Sequence, residues 1–162
     1  MELIFITNFP VMLSDTTILL FVIVVNLIAL AMTYLAWKHI HIGRFLFGGM
    51  FLGAGIFNLF YAFSDPEEYV YYADFAIFEA YRRFILGIFS EHVEMLLTLI
   101  GVAQVIVGIG FWSHGRFLEI SALAGAVFLL AIVPLGFGAA FPAPVIMTIG
   151  AYLIYRQGAD FN

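Results

Sequence analysis

The chain has 162 residues, of which 64% are hydrophobic and 10% charged, with a mean hydropathy of +1.09. Soluble domains are nearer a quarter charged, so no packing in water covers this much apolar surface. Long unbroken apolar runs also exclude a β-barrel, which leaves an integral membrane protein of helices. A net charge of −5 without a basic run argues against a nucleic-acid partner and against a polybasic lipid-binding segment, and the lack of cysteine removes disulfides, thiol chemistry and Cys-ligated metal.

The predicted fold is all-α: a polytopic transmembrane helix bundle forming one domain over 1–162, with a four-helix core, an extra N-terminal span and an amphipathic interfacial helix. A crossing needs about 20 apolar residues at a rise of 1.5 Å each. Met1 to Thr16 is a short lead; Glu2 and Asp15 stand where a signal peptide would carry positive charge. The first span, 17–37, holds Asn26 near its middle and ends in Tyr34, Trp37 and Lys38, an aromatic and basic interface signature. The turn from His39 to Gly43 is short, which makes spans one and two antiparallel neighbours. The second span, 45–63, contains Gly49 and Gly53 as a GxxxG pair and Gly48 and Gly55 one heptad apart; in lipid such glycines let backbones approach. Asn58 lies three residues after Gly55. Ser64, Asp65 and Pro66 end the span.

Segment 67–90 is too charged to cross. Ile77, Tyr81, Phe84 and Ile88 recur at helical spacing, which predicts an interfacial helix lying over the bundle. Glu79 is in reach of Arg82 and Arg83 along such a helix. The third span, 94–113, carries Gly101, Gln104 and Gly108 on one face, a polar amide between two notches. The fourth, 117–135, contains Ser121 and Gly125. Gly136, Gly138, Pro142 and Pro144 break the chain before a last apolar run, 140–155. From Phe117 to Tyr155 is 39 residues, which is short for two crossings; two crossings with a short last span are expected, and one kinked element is the alternative. With five spans, Lys38, Arg44, Arg116 and Arg156 share one end and Arg82 and Arg83 the other. The positive-inside rule then gives a multi-pass protein of the cell membrane with the N-terminus outside and the C-terminus cytoplasmic.

Chemistry has few candidates. Gln104 lies deep in its span. It either bonds Asn58 or Asn26 across helices or offers its amide to a ligand in a central cavity. Glu91, His92 and Glu94 are the densest ionisable group. Two carboxylates three apart on a helix raise one pKa by repulsion and desolvation, which suits proton relay or a quinone headgroup; Arg82 and Arg83 can instead neutralise them in a structural cluster, the favoured reading. The ligand-binding candidates are therefore Gln104, Asn58, Asn26, Glu94 and Glu91, and the helix-packing candidates Gly49, Gly53, Gly101 and Gly108. His39, His41 and His114 fall at one end of the bundle and His92 at the other. Haem needs facing histidines, which these supply only near the interface, so haem is the weak candidate and no metal site is expected. No nucleophile–base pair or phosphate loop is visible, so no catalytic residue is assigned.

Three stretches carry a resemblance: GRFLFGGMFLGAGIFNLF (Gly43 to Phe60), GVAQVIVGIGFWSHGRFLEISALAGAV (Gly101 to Val127) and the apolar segment to Tyr155. Over about residues 43–155 the chain resembles the DoxX-like family of small four-helix membrane proteins. The family opens with an Arg-led, glycine-rich span ending in a polar residue after a glycine; Arg44, Gly55 and Asn58 take those places. Its second span carries an acid before a glycine-rich stretch and a basic residue at its end. Here Gln104 stands for the acid, ahead of Gly108, Gly110 and Arg116, a departure that removes the protonatable group. The first span is an addition to the four-helix plan. The resemblance implies an accessory or ligand-binding subunit of a quinone-linked membrane redox system, with the chemistry in a partner or bound cofactor. A quinone is the implied ligand, and the implied partners are other membrane subunits or a second copy within the lipid bilayer. The competing expectation is a structural or assembly subunit with no cofactor, and a third is a small transporter or channel.

Overall fold

A computed structural model of the chain describes residues 15–159. The lead from Met1 to Ser14 lies outside the described residues. Helix α1 spans Asp15–Lys38 and α2 Ile40–Ser64, joined through the single non-helical residue His39. This sharp reversal lays the two helices antiparallel. Lys38 Nζ sits 3.9 Å from the centre of the Trp37 ring, a cation–π contact at the end of α1. Helix α4 spans Val93–Phe111 and α5 Gly115–Ile132, again joined by a short turn, and α6 spans Ala143–Ala159. Among the described residues the secondary structure is helical throughout.

Among the described residues, four helices are long and apolar enough to cross a membrane: Leu19–Lys38, Ile40–Ser64, Val93–Phe111, and Gly115–Ala139, which is α5 with its extension. At 17 residues α6 is shorter. It is nevertheless a separate helix that turns back, since its end lies beside the start of α5, with Gly158 against Leu118. It runs parallel to α1, whose Asn26 and Thr33 side chains donate to the carbonyls of Ala140 and Ile146 at 3.0 and 2.9 Å. Ala140, just before α6, therefore lies at the depth of the middle of α1. The break ahead of it is a 3₁₀ segment, Val133–Ala139, in which Gly136 has φ +56°.

The core is built of phenylalanines against alanines. Phe47, Phe51 and Phe111 are buried, and Phe51 and Phe111 stack at 5.6 Å; Ala122 and Ala126 of α5 and Ala151 of α6 give them room. The outer surface is more apolar than any water-facing surface permits: Leu27, Phe45, Phe60 and Phe63 all stand out of the bundle, Phe63 with 72% of its surface exposed. That arrangement is compatible with lipid around the bundle, where no hydrophobic gain comes from hiding such residues.

Residues 66–89 form a cap, but not as one amphipathic helix. A 3₁₀ segment, Pro66–Phe75, is followed by the short helix α3, Glu79–Phe84, and a π-helical turn, Ile85–Phe89. The stripe read from the sequence is largely exposed, Ile77, Phe84 and Ile88 included, whereas Ala73 and Ile85 are buried. The physical reason lies in α5. Its broken end leaves carbonyls without helical partners. The Ile77 amide donates to Pro134 O at 2.8 Å and the Tyr81 hydroxyl to Ala131 O at 2.6 Å. Those bonds fix the cap's phase, and helical periodicity does not. Arg83 pairs with Glu79 at 3.8 Å, both side chains well exposed. Arg83→Gln is expected to change stability by less than about 1 kcal/mol, read by thermal unfolding in detergent, because exposed pairs are screened and entropically costly.

Candidate functional site

The seam between α2 and α4 positions the site. On α2 it uses Gly48 and Gly55, on α4 Gly101 and Gly108. A Cβ on Gly55 would lie 2.7 Å from Gly101 O, and one on Gly108 would lie 2.7 Å from the Leu52 backbone nitrogen. Backbone therefore meets backbone. Gly49 and Gly53, the GxxxG pair singled out in the sequence, have nothing within 4 Å of a Cβ and face away from the bundle. The correction is one of helix face: residues one position apart point about 100° apart, and the heptad pair is the one turned to α4.

Asn58 follows Gly55 by three residues, and Gln104 follows Gly101 by three. In this antiparallel pair Gly55 packs on Val105 and Gly101 on Leu59, which brings the side chain of Asn58, beside Leu59, within reach of Gln104, beside Val105. The Asn58 amide nitrogen donates to Gln104 Oε1, and the Tyr69 hydroxyl, from the cap, donates to Asn58 Oδ1. Three groups thus form one chain from the headgroup level to the middle of α4. In this order of donors, the Gln104 amide nitrogen is the donor end. Gln104 is 5% exposed.

Asn58, Tyr69 and Gln104 line a half-open cavity of about 380 Å³ between α2, α4, α5 and the cap. Its other walls are aromatic and aliphatic, among them Phe57, Tyr72, Phe84, Ile100, Phe128 and Ile132. This is the size and character of a small-molecule site: mostly apolar, with a few polar groups on one side. Three phenols of the cap, Tyr69, Tyr72 and Tyr81, hold their protons more tightly than a free phenol. Burial pushes Tyr69 up to about 12, helped by Tyr72 and Tyr61 nearby, and burial also raises Tyr72 and Tyr81. A phenol whose folded pKa is raised stabilises the fold below its unfolded value near 10, and that contribution is lost as pH rises towards about 12. An ultraviolet titration is therefore expected to show a late-ionising tyrosine that Tyr69→Phe removes, with alkaline unfolding setting in between those values.

The remaining sequence candidates lie elsewhere. Asn26 does not line the cavity. Its amide nitrogen donates to Val22 O at 2.8 Å and Ala140 O at 3.0 Å, and its Oδ1 is buried without a hydrogen-bond partner. It braces the break before α6, whose backbone needs partners within the bundle. Glu91 and Glu94 are exposed at the start of α4, on an open groove with His92, Phe63 and Glu67. They stand on a different surface from the amide pair. His41 and His114 share a shallow recess with Arg44 at the opposite end, and His39 is exposed where α1 meets α2. Among the described residues no three of His, Asp or Glu are grouped to hold a metal ion. Tyr69 and Tyr72 are site residues that sequence reasoning missed. The aromatic density of YVYYADF, following Asp65-Pro66-Glu67-Glu68, was the available signal.

The structure thus defines a helical bundle with an aromatic-lined cavity holding a buried amide pair. No family model, curated protein or solved structure matches this chain.

Proposed function

We propose that this chain is a multi-span protein of the cell membrane that holds a small, apolar, carbonyl-bearing ligand of the quinone class. It serves as an accessory or ligand-binding subunit of a quinone-linked redox system, in the manner of the DoxX-like proteins its sequence resembles. The observation that carries this reading is the Asn58–Gln104 pair on the wall of the 380 Å³ cavity. A ring with carbonyl oxygens fits between Phe128, Ile100 and the cap tyrosines and accepts from the Gln104 amide nitrogen. The wall groups are amides and neutral phenols, suited to holding and orienting a ligand, so the electron chemistry belongs to the ligand or a partner. The N-terminus lies outside and the C-terminus in the cytoplasm, supported by Lys38, Arg44, Arg116 and Arg156 at one end.

Lipid extraction of the purified protein followed by mass spectrometry tests this. A quinone is expected at near-stoichiometric amount, falling about tenfold in Gln104→Leu, the factor that a lost hydrogen bond of about 1.4 kcal/mol implies. A quinone content no higher than in an unrelated membrane protein from the same membranes rejects the reading. An optical spectrum of the same sample, if it carries a Soret band, replaces quinone with haem.

One observation favours the structural-subunit reading. Gly49 and Gly53 form an open notch on the outer face of α2, the shape another transmembrane helix packs into. On that reading a partner co-purifies with the wild type and is lost from a Gly49→Leu, Gly53→Leu variant, while quinone content is unchanged.

A further inference from the structure

At the opposite end from the cap, where α2 and α5 begin and α6 ends, His41, Arg44, His114, Gly115 and Gly158 line a recess of about 210 Å³. We propose that this recess binds a phosphoryl oxyanion, supplied by the headgroup of a net-anionic phospholipid. The site is separate from the amide-lined cavity, and the inference does not depend on what fills that cavity.

Arg44 is the centre of it. Its Nε donates to Phe111 O at 3.1 Å and its Nη2 to Ser113 O, so the guanidinium is clamped against the carbonyl end of α4. Both partners are neutral. Arg44 is half-buried, and the partners its guanidinium holds are these two carbonyls. A guanidinium has five N–H donors; two are used here, and the planar fork suits phosphate oxygens. Both helices that start at the recess lack a side-chain cap. His39 and His114 occupy the cap positions of α2 and α5 and make no capping hydrogen bond. The first-turn amides of α2 and α5 are therefore further donors at this end, set against the carbonyl ends of α1, α4 and α6. His41 and His114 supply further N–H donors at the rim.

The surroundings select the net charge of the ligand. Lys38, Arg116 and Arg156 stand at this same end, at the close of α1, the first turn of α5 and the last turn of α6. Glu119 is the one carboxylate at this end among the described residues. A choline group beside the phosphate would meet these cations, whereas a glycerol headgroup would not. The depth is also right: Trp112 and Phe45 stack at 6.0 Å beside Arg44, an aromatic pair of the kind found at headgroup level. Cytoplasmic leaflets carry the anionic lipids, so the ligand is present where the basic end lies in the orientation given above.

The test uses the full chain in a neutral detergent, with the thermal midpoint as readout. Dihexanoyl-phosphatidylglycerol, dihexanoyl-phosphatidylcholine and inorganic phosphate are titrated separately. Phosphatidylglycerol is expected to raise the midpoint at a concentration roughly tenfold below that needed for phosphatidylcholine, because both offer the same phosphoryl oxygens and only the choline cation is repelled by the basic residues at this end. Protection by inorganic phosphate at equal concentration would keep the oxyanion site but assign it to free phosphate. Arg44→Gln removes the effect; should that variant fail to fold, His41→Gln with His114→Gln decides, because those side chains are exposed and clamp nothing. The double variant is expected to need several times more phosphatidylglycerol. Equal protection by phosphatidylcholine and phosphatidylglycerol, or an undiminished response in the double histidine variant, overturns the proposal.

Discussion

Gly108→Ala and Gly55→Ala are each expected to lower the stability of the bundle by about 1–3 kcal/mol, while Gly49→Ala and Gly53→Ala leave it unchanged or slightly raised. The contrast follows from what an added methyl meets. At Gly108 it meets the Leu52 nitrogen at 2.7 Å and Gly48 O at 2.9 Å; at Gly55 it meets Gly101 O at 2.7 Å and the Val105 nitrogen at 2.8 Å. These atoms are backbone, and backbone in a helix moves only if the helix moves. The methyl is therefore accommodated by separating α2 from α4, which forfeits contacts along the whole seam. Gly101 is intermediate, because its closest neighbour is the Leu59 side chain at 2.7 Å, which has rotamers to use. At Gly49 and Gly53 the methyl enters open space and removes only glycine's conformational freedom. Thermal or denaturant unfolding in detergent reads the order. Equal losses at Gly49 and Gly108 would show that the seam lies on another face of α2.

The second large effect is at the amide pair. Asn58→Leu is expected to cost about 1–2 kcal/mol, the upper part of the range for interhelical hydrogen bonds in membranes, because two partners are orphaned at once. Gln104 Oε1 loses its donor and the Tyr69 hydroxyl its acceptor. Gln104→Leu leaves one orphan, the Asn58 amide nitrogen, and costs less. The double variant Asn58→Leu, Gln104→Leu is expected to be more stable than the sum of the two losses predicts, by about 0.5–1.5 kcal/mol, since it removes both members of a coupled pair. A double-mutant cycle on unfolding free energies measures this. Strict additivity would mean that the two amides do not bond each other in the bilayer.

How much of this was legible varied with the distance over which the cause acts. The bounds of the first and third spans were legible, but the start of the second was not, since Ile40 to Gly43, read as part of a turn, belong to α2. The run from Thr17 to Trp37 became α1 ending at Lys38, and 94–113 became α4 over Val93–Phe111, because the thickness of a bilayer dictates how long an apolar run must be. Gly101, Gln104 and Gly108 were legible as one face for the same local reason. Which face of α2 meets them was not. Glycines at 48, 49, 53 and 55 cover a wide arc of that helix, and nothing within α2 selects among them. The selecting fact lies in α4, whose glycines are seven apart like Gly48 and Gly55, so two matching repeats interlock along an antiparallel seam. The cap was the least legible. Its phase depends on the carbonyls of Ala131 and Pro134, about a third of the chain away, and a periodicity argument contains no such term. Tyr69 was missed for that reason, since its place on Asn58 is a product of the cap's fold.

The cap has one more property. Tyr72, Phe84 and Ile85 form the ceiling of the cavity, and the same segment ties off the frayed end of α5 through Ile77 and Tyr81. Door and latch are therefore one piece of chain. Opening the ceiling to pass a molecule from the aqueous side uncovers two carbonyls, each costing about 1–3 kcal/mol wherever water does not follow.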